Sequence, residues 1–478
     1  MPGEARAMEE AGLHDPLVDA TEDEEALREQ EAHEEELARA EDLASAGASV
    51  LRGETRLTQA TANLATTIIG AGIMALPRAF ATLGIVLGMG SLAGVFVLSL
   101  FSLNALVRVS RLTHRWSYHE VVAAEYGPSG LLALRLAIIV NNAGSMIVYL
   151  IIIGDMLVGV PPDFNGLLTN LLGVHDPSVW YVSRPVVLAA ACLLILAPLL
   201  SLRDLGRLGP MSTAGVVIAG GFAASVVGVT GIAIAKGQIG DFHWLPTPDM
   251  MGDTLQHQAV TLLSVLPVIS LSFICHYNVH PIAHSLERFS NRRMRMVVNR
   301  ALVVCTCVFT LVAAGGYCLF GSATQANILN NLTPVGLAPI IGRPAGTALS
   351  FAIRLGYCTC LMATFAMLNW ALRETVTKLL FNNKAMLPGP GFYALSYSLL
   401  AIIYGVAVVV PSVWTAMSVT GATAATFVAF ILPGALILRV ARRTHRLSTR
   451  TACLAGVCVG LGVLMGVVTL LNTFVLKH

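Results

Sequence analysis

Two stretches place polar and helix-breaking residues inside otherwise apolar sequence. Residues 66–77 read Thr66-Thr67-Ile68-Ile69-Gly70-Ala71-Gly72-Ile73-Met74-Ala75-Leu76-Pro77, and residues 270–281 read Ser270-Leu271-Ser272-Phe273-Ile274-Cys275-His276-Tyr277-Asn278-Val279-His280-Pro281. A glycine in a helix interior costs about 1 kcal/mol and a proline about 3, so each stretch predicts an interrupted helix. Freed amides and carbonyls are tolerated at membrane depth only where they face protein or a watery cavity. A break exposes backbone N–H groups at a positive dipole end, which suits a carboxylate, while the opposing end offers carbonyls to an ammonium group or cation. Two breaks that face each other can hold a zwitterion, and amino acids are zwitterions. A tight helix crossing through small residues is the competing reading of the first stretch.

Other residues could do different chemistry. His276, His280 and His284 repeat every four residues, which would align them on one helical face and suggests metal ligation. A metal transporter or histidine-ligated membrane metalloenzyme is therefore the alternative class. Pro281 interrupts that register and no carboxylate accompanies the histidines in their span, so the expectation is no bound metal. His276 alone, titrating near neutral pH, is a candidate for proton coupling or substrate contact, or is a neutral ring satisfied by unwound backbone. Asp155 and Arg354 are among the few charges inside apolar segments and are expected to pair near an outer gate, with Arg354 as a partner for an anionic substrate side chain the competing reading. Glu120 and Glu125, on an amphipathic stretch, are expected to be solvated. The nine cysteines are odd in number, form no CxxC and all fall in apolar runs, which argues for small buried residues and against a disulfide framework or zinc ribbon. With no Walker loop, ATP-driven transport has no support.

These residues need elements to position them, and the composition says which. Of 478 residues, 55% are hydrophobic and 12% charged, with mean hydropathy +0.72. Soluble domains carry roughly 25% charged residues, so soluble enzymes, nucleic-acid binders and secreted disulfide domains are excluded. Apolar runs near 58–82, 86–107, 131–158, 184–202, 211–234, 259–284, 297–320, 344–372, 392–410, 414–438 and 451–473 predict eleven transmembrane helices. The expected fold is an all-α polytopic membrane protein: a five-plus-five inverted repeat with broken first and sixth helices, plus an eleventh. Paired interruptions at corresponding positions point to a transporter with a midplane site.

Alternating loops hold 18 Lys and Arg on one side and four on the other. The basic side and the N-terminus are thus expected in the cytosol, with the C-terminus lumenal or extracellular. The sequon Asn331-Leu332-Thr333 falls in an outer loop under that orientation, as a glycosylation candidate. Residues 1–57 contain 17 of the 28 acids and five arginines, a net charge of −12, leaving +14 on the rest. That acidic segment reads as a solvated cytosolic tail outside the transporter domain at 58–473, with a cytosolic partner as the alternative.

The runs Ala62-Asn63-Leu64-Ala65-Thr66 through Pro77 and Phe273 through Ile282 resemble the amino acid/auxin permease family. Its plant-type vacuolar amino-acid transporters are the most similar branch, and sodium-coupled neutral amino-acid transporters are more distant. Asn141-Asn142-Ala143-Gly144, Tyr149 to Asp155, and Thr420 to Ala424 extend the resemblance over roughly 58–473. The resemblance implies secondary active transport of free amino acids across a lipid bilayer by alternating access, without enzymatic activity or cofactor. It implies a substrate site at Thr66, Thr67, Gly70, Ala71, Gly72, Asn142, Tyr149, Phe273, His276, Tyr277 and Asn278. Thr364 takes the place of a cation-coordinating hydroxyl, unless it bonds back to its own helix. Sodium-coupled relatives tend to carry Asn where this chain has Thr66, which favours a proton over sodium. Span eight lacks the family's usual prolines before Arg373, so a straighter helix is expected there. A vacuolar or other endomembrane location follows by analogy, with the plasma membrane as the alternative. Gly72→Leu is expected to abolish transport with little loss of folded protein, by filling space beside the break.

Overall fold

A computed structural model describes residues 50–176, 178–202, 209–286, 290–381, 387–410, 412–444 and 448–476. Most of the acidic segment and several loop arginines in the charge count lie outside them. Contacts divide the chain into Met1–Gln59 and Ala60–His478, and apart from the start of the first helix everything below concerns the second unit. Among the described residues all regular structure is helical. Nine helices among the described residues are long and apolar enough to cross a membrane, and Arg184–Leu200 is a shorter apolar helix.

The first apolar run is broken as expected. Helix α1 (Val50–Ile68) ends, a 3-10 turn covers Ala71–Met74, and α2 starts at Leu76 and runs to Thr113. Pro77 sits in the first turn of α2, where its missing N–H costs nothing. The second run joins the first inside α2 at Gly84, whose φ of 72° turns the chain. A Cβ there would lie 2.7 Å from the Leu245 carbonyl carbon, so only glycine fits. The amides that the turn frees, Ile85 and Val86, donate to the carbonyls of His243 and Trp244 at 3.1 and 2.9 Å.

Helix α3 (Tyr118–Val158) turns at Gly127 before Pro128, and α4 (Arg184–Leu200) carries a π turn at Cys192–Leu196 just ahead of Pro198. Helix α5 spans Gly209–Ala235. The sixth run splits into α6 (Leu255–Ser272) and α7 (Val279–Ser285), with a 3-10 turn at His276–Asn278 between them. Pro267 cannot donate to the Leu263 carbonyl one turn back, and Thr469 supplies the missing donor at 3.3 Å.

The remaining long helices are α8 (Asn291–Phe320), α9 (Arg343–Leu380), α10 (Gly389–Val409), α11 (Val413–Arg443) and α12 (Thr449–Leu471). Helix α9 is uninterrupted over 38 residues, in keeping with its lack of interior proline. Helix α2 packs mainly on α8, and α3 on α9. Leu, Val and Ile side chains such as Leu193, Ile402 and Val457 point outward from the apolar helices, as a lipid-facing surface requires.

Candidate functional site

The two breaks touch. A Cβ on Gly72 would meet the Ser272 hydroxyl and lie 2.8 Å from Ser272 Cα, so the backbones approach as closely as glycine permits. Past the contact the chains diverge, and a cavity of about 480 Å³ opens against the breaks. Its wall comes from α1 and the turn after it, α3, α5, the α6–α7 break, α8, α9 and Met417 of α11. The wall reaches back along α1 to Ala62 and forward along α9 to Ala371. Both directions lead to the face where the basic loops gather, so the cavity extends toward that face. None of its lining side chains is charged.

Two tyrosines cover the opposite end. The Tyr357 hydroxyl donates to the Gly70 carbonyl at 3.4 Å, and a Cβ on Gly70 would sit 3.3 Å from the Tyr149 hydroxyl. Beyond them polar contacts close the far face. Asp155 pairs with Arg184 at 3.2 Å and accepts from Asn330 at 3.4 Å. Arg78 at the start of α2 donates to the Thr324 carbonyl at 3.1 Å, tying α2 to the loop after α8.

Residues 53–475 match the family described as transmembrane amino acid transporter protein. The chain belongs to this family. It is 35% identical over 389 residues to amino acid transporter AVT6E of Arabidopsis thaliana, covering 81% of this chain and 76% of that one. It is 34% identical over 415 residues to AVT6A of the same plant, covering 85% and 86%. Among solved structures, a manganese transporter of Eremococcus coleocola superposes with a TM-score of 0.51 at 12% identity, covering 88% of this chain and 87% of that one. At that identity the likeness concerns the fold alone. The chain is thus a multi-pass membrane protein of an amino acid transporter family, and its relatives are transporters, not enzymes.

Within this member, Thr66, Thr67, Gly70, Ala71, Gly72, Tyr149, Tyr277, Asn278 and Thr364 line the cavity. The three threonines donate to carbonyls of their own helices: Thr66 to Ala62 at 2.7 Å, Thr67 to Leu64 at 2.7 Å, and Thr364 to Cys360 at 2.9 Å. Their oxygen lone pairs remain for a ligand. Asn142, Phe273 and His276 are buried behind the wall. Phe273 packs edge-on against Phe309 with ring centroids 5.2 Å apart. The Asn141 amide donates to Asn142 at 3.5 Å and sits beside the Tyr277 hydroxyl, so Asn141 is the asparagine next to the wall.

Three sequence expectations change. Asp155 meets Arg184, while the buried Arg354 donates to the Asn165 carbonyl at 2.6 Å, so the anticipated Asp155–Arg354 ion pair is not formed. Glu125 is buried, not solvated: the turn at Gly127 sets it beneath the end of α11, 3.1 Å from Arg443 and 3.6 Å from Arg439. Gly72 has no adjoining space for a leucine to fill, because the Ser272 backbone occupies it. The sequon residue Asn331 donates to the Ala323 carbonyl at 3.0 Å and accepts from the Gln325 amide at 2.8 Å. Among the described residues no three His, Cys, Asp or Glu side chains converge as metal ligands, the three histidines included.

Sequence reasoning missed Tyr357, Cys360, Met367 and Ala371, which line the cavity together with Thr364. Their spacing of three and four residues is the signal: one face of α9, readable once Thr364 marks it.

Proposed function

We propose that the chain is a secondary active transporter that moves amino acids with uncharged side chains by alternating access. The observation that carries this reading is the contact of two helix breaks at the head of a cavity with no charged lining. Backbone at Gly70, Ala71 and Gly72 meets the substrate carboxylate, and Ile274, Tyr277 and Asn278, which line the cavity at the α6–α7 break, meet the ammonium group. The apolar wall along α9 takes the side chain. A cationic or anionic side chain would enter an apolar space without a counter-charge, at a desolvation cost that uncharged ones avoid.

Access alternates by opening and closing the two ends of this cavity. In the present conformation it extends toward the basic face, which we assign to the cytosol by the distribution of Lys and Arg. The far face, closed by Tyr149, Tyr357 and the Asp155–Arg184 pair, is then lumenal or extracellular, and by analogy with the relatives we favour the vacuole or another endomembrane. Coupling to protons is preferred over sodium, because Thr66 stands where sodium-coupled relatives tend to have asparagine and directs its hydroxyl to Ala62.

The test is uptake by purified protein in liposomes across an amino-acid panel, with proton and sodium gradients imposed independently. Uptake of neutral amino acids driven by a proton gradient is expected. Uptake confined to charged amino acids would overturn the substrate class, and a response to sodium alone would overturn the coupling.

A further inference from the structure

The three histidines that drew attention by their spacing stand outside the cavity wall, in a row of their own. His276 Nε2 lies 2.7 Å from the Ser102 hydroxyl, His280 Nε2 lies 2.7 Å from the Ser110 hydroxyl, and His284 Nε2 lies 3.1 Å from the Trp116 carbonyl. All three partners are on α2 or just beyond its end. The α6–α7 break and α7 therefore run beside α2, rung by rung, toward the basic face. His276 and His280 are buried and His284 is exposed, so the row leads from the interior to the surface.

Each buried histidine has a second nitrogen, Nδ1, with no hydrogen-bond partner, and the same holds for the buried Ser99 hydroxyl beside Ser102. An orphaned polar atom in a buried site is a poor way to build a structural contact. An imidazole that accepts a proton on one nitrogen and releases it from the other needs both nitrogens accessible to transfer partners. The serines are eight residues apart, about 12 Å along a helix, so a proton route along the row would need water between rungs. The bare nitrogens and Ser99 are the polar partners such waters require.

Among the described residues no charged group acts on His276; Tyr277 and Cys275 flank it, with Cys305 behind Cys275. At His280 the Tyr118 ring stacks with centroids 6.2 Å apart, and His119 and His284 face it. Arg135, Lys378 and Glu374 stand around His119.

We propose that His276, His280 and His284 form a proton path from the α6–α7 break to the basic face, separate from the substrate cavity. The proposal rests on the cavity being the amino-acid site. Tyr277 and Asn278, next in sequence to His276, are part of the cavity wall, so the break joins the two routes.

The experiment uses the full chain in liposomes with a pH-sensitive dye inside, and the variants His280→Gln and His276→Gln. Glutamine keeps a hydrogen-bonding group toward the serine but cannot pass a proton at neutral pH. Each variant is expected to lose proton-driven accumulation by at least about ten-fold while exchanging labelled for unlabelled amino acid within about two-fold of the unaltered protein. Wild-type accumulation with proton movement in both variants would overturn the path, and so would parallel loss of exchange and accumulation, the mark of a positional role. Amino-acid uptake by the unaltered protein without movement of protons would overturn the path alone. No uptake of any amino acid would overturn the reading of the cavity, and the path with it.

Discussion

Gly72→Ala adds one methyl group at the contact between the two breaks. That carbon would lie 2.8 Å from Ser272 Cα. Carbon atoms settle at about 3.5–4.0 Å, so the two backbones must separate by roughly 0.7 Å or more. No rotamer relieves this, because the opposing atom is main chain. Overpacking of this kind costs about 1–3 kcal/mol of stability. The displacement also moves the backbone groups assigned to the substrate carboxylate. Losing one hydrogen bond to a charged group, worth about 1.5–3 kcal/mol, weakens binding about ten- to a hundred-fold. Gly70→Ala is the internal comparison. Its methyl would meet only the Tyr149 hydroxyl at 3.3 Å, and its φ of −121° is open to any residue. Counterflow uptake and thermal unfolding in detergent are measured for both variants. Gly72→Ala is expected to raise KM at least ten-fold and lower the unfolding temperature, with Gly70→Ala within about three-fold of the unaltered protein. Trimming the opposing side chain with Ser272→Gly should not rescue Gly72→Ala, since Cα remains. Equal sensitivity of the two glycines, or rescue by Ser272→Gly, would refute contact of the backbones as the cause.

Gly144→Ala is expected to destabilise by about 1–3 kcal/mol, because its methyl would lie 2.6 Å from Thr420 Cγ2 on α11; Thr420→Ala removes the two nearest atoms, leaving Cβ at 3.0 Å, and should restore part of the unfolding temperature. Thr469→Val should cost about 1 kcal/mol by leaving the Leu263 carbonyl unpaired. In a Pro267→Ala background the same change should cost much less, since a backbone N–H can then satisfy that carbonyl, and a double-mutant cycle by thermal unfolding measures the difference. Asp155→Asn should favour opening of the far face, read as increased labelling of cysteines placed beside Tyr357. Because Arg184 is 24% exposed, the cost in stability should fall below the about 3–5 kcal/mol of breaking a fully buried pair.

The two breaks were legible because glycine, proline and polar residues are conspicuous in apolar helices, and no favourable packing hides their cost. Tyr277 and Asn278 could be placed for the same reason. What the sequence could not supply was azimuth. His276 and Tyr277 are adjacent in a short 3-10 turn, where successive side chains point about 120° apart, so one faces α2 and the other the cavity. Asn141 and Asn142 differ in the same way. Glu125 was misjudged because amphipathic patterning identifies a polar face without saying what will cover it. Here the turn at Gly127 brings Arg439 and Arg443, more than 300 residues later, onto that face.

The missing Asp155–Arg354 pair exposes a general weakness in matching charges by sequence. A cation inside a membrane protein needs an acceptor, and side-chain acids are only one source. Arg354 uses the Asn165 carbonyl, Arg78 the Thr324 carbonyl, Lys236 the Ile340 carbonyl, and Arg184 adds the Ile151 carbonyl at 3.4 Å to its contact with Asp155. Three of the four acceptors lie in connecting segments or at the end of a short helix, where carbonyls lack the intrahelical partners of a long helix. Such acceptors have no signature in side-chain type. They also suit a face that must open. A guanidinium on a carbonyl leaves no buried carboxylate behind when the contact parts, so separation avoids the penalty of stranding an anion in a low-dielectric region. The Asp155–Arg184 pair joins α3 to α4, whereas the carbonyl contacts of Arg78 and Lys236 tie membrane helices to the loop between α8 and α9. Opening of the far face can therefore release those cations without stranding an anion, whereas it must part Asp155 from Asn330.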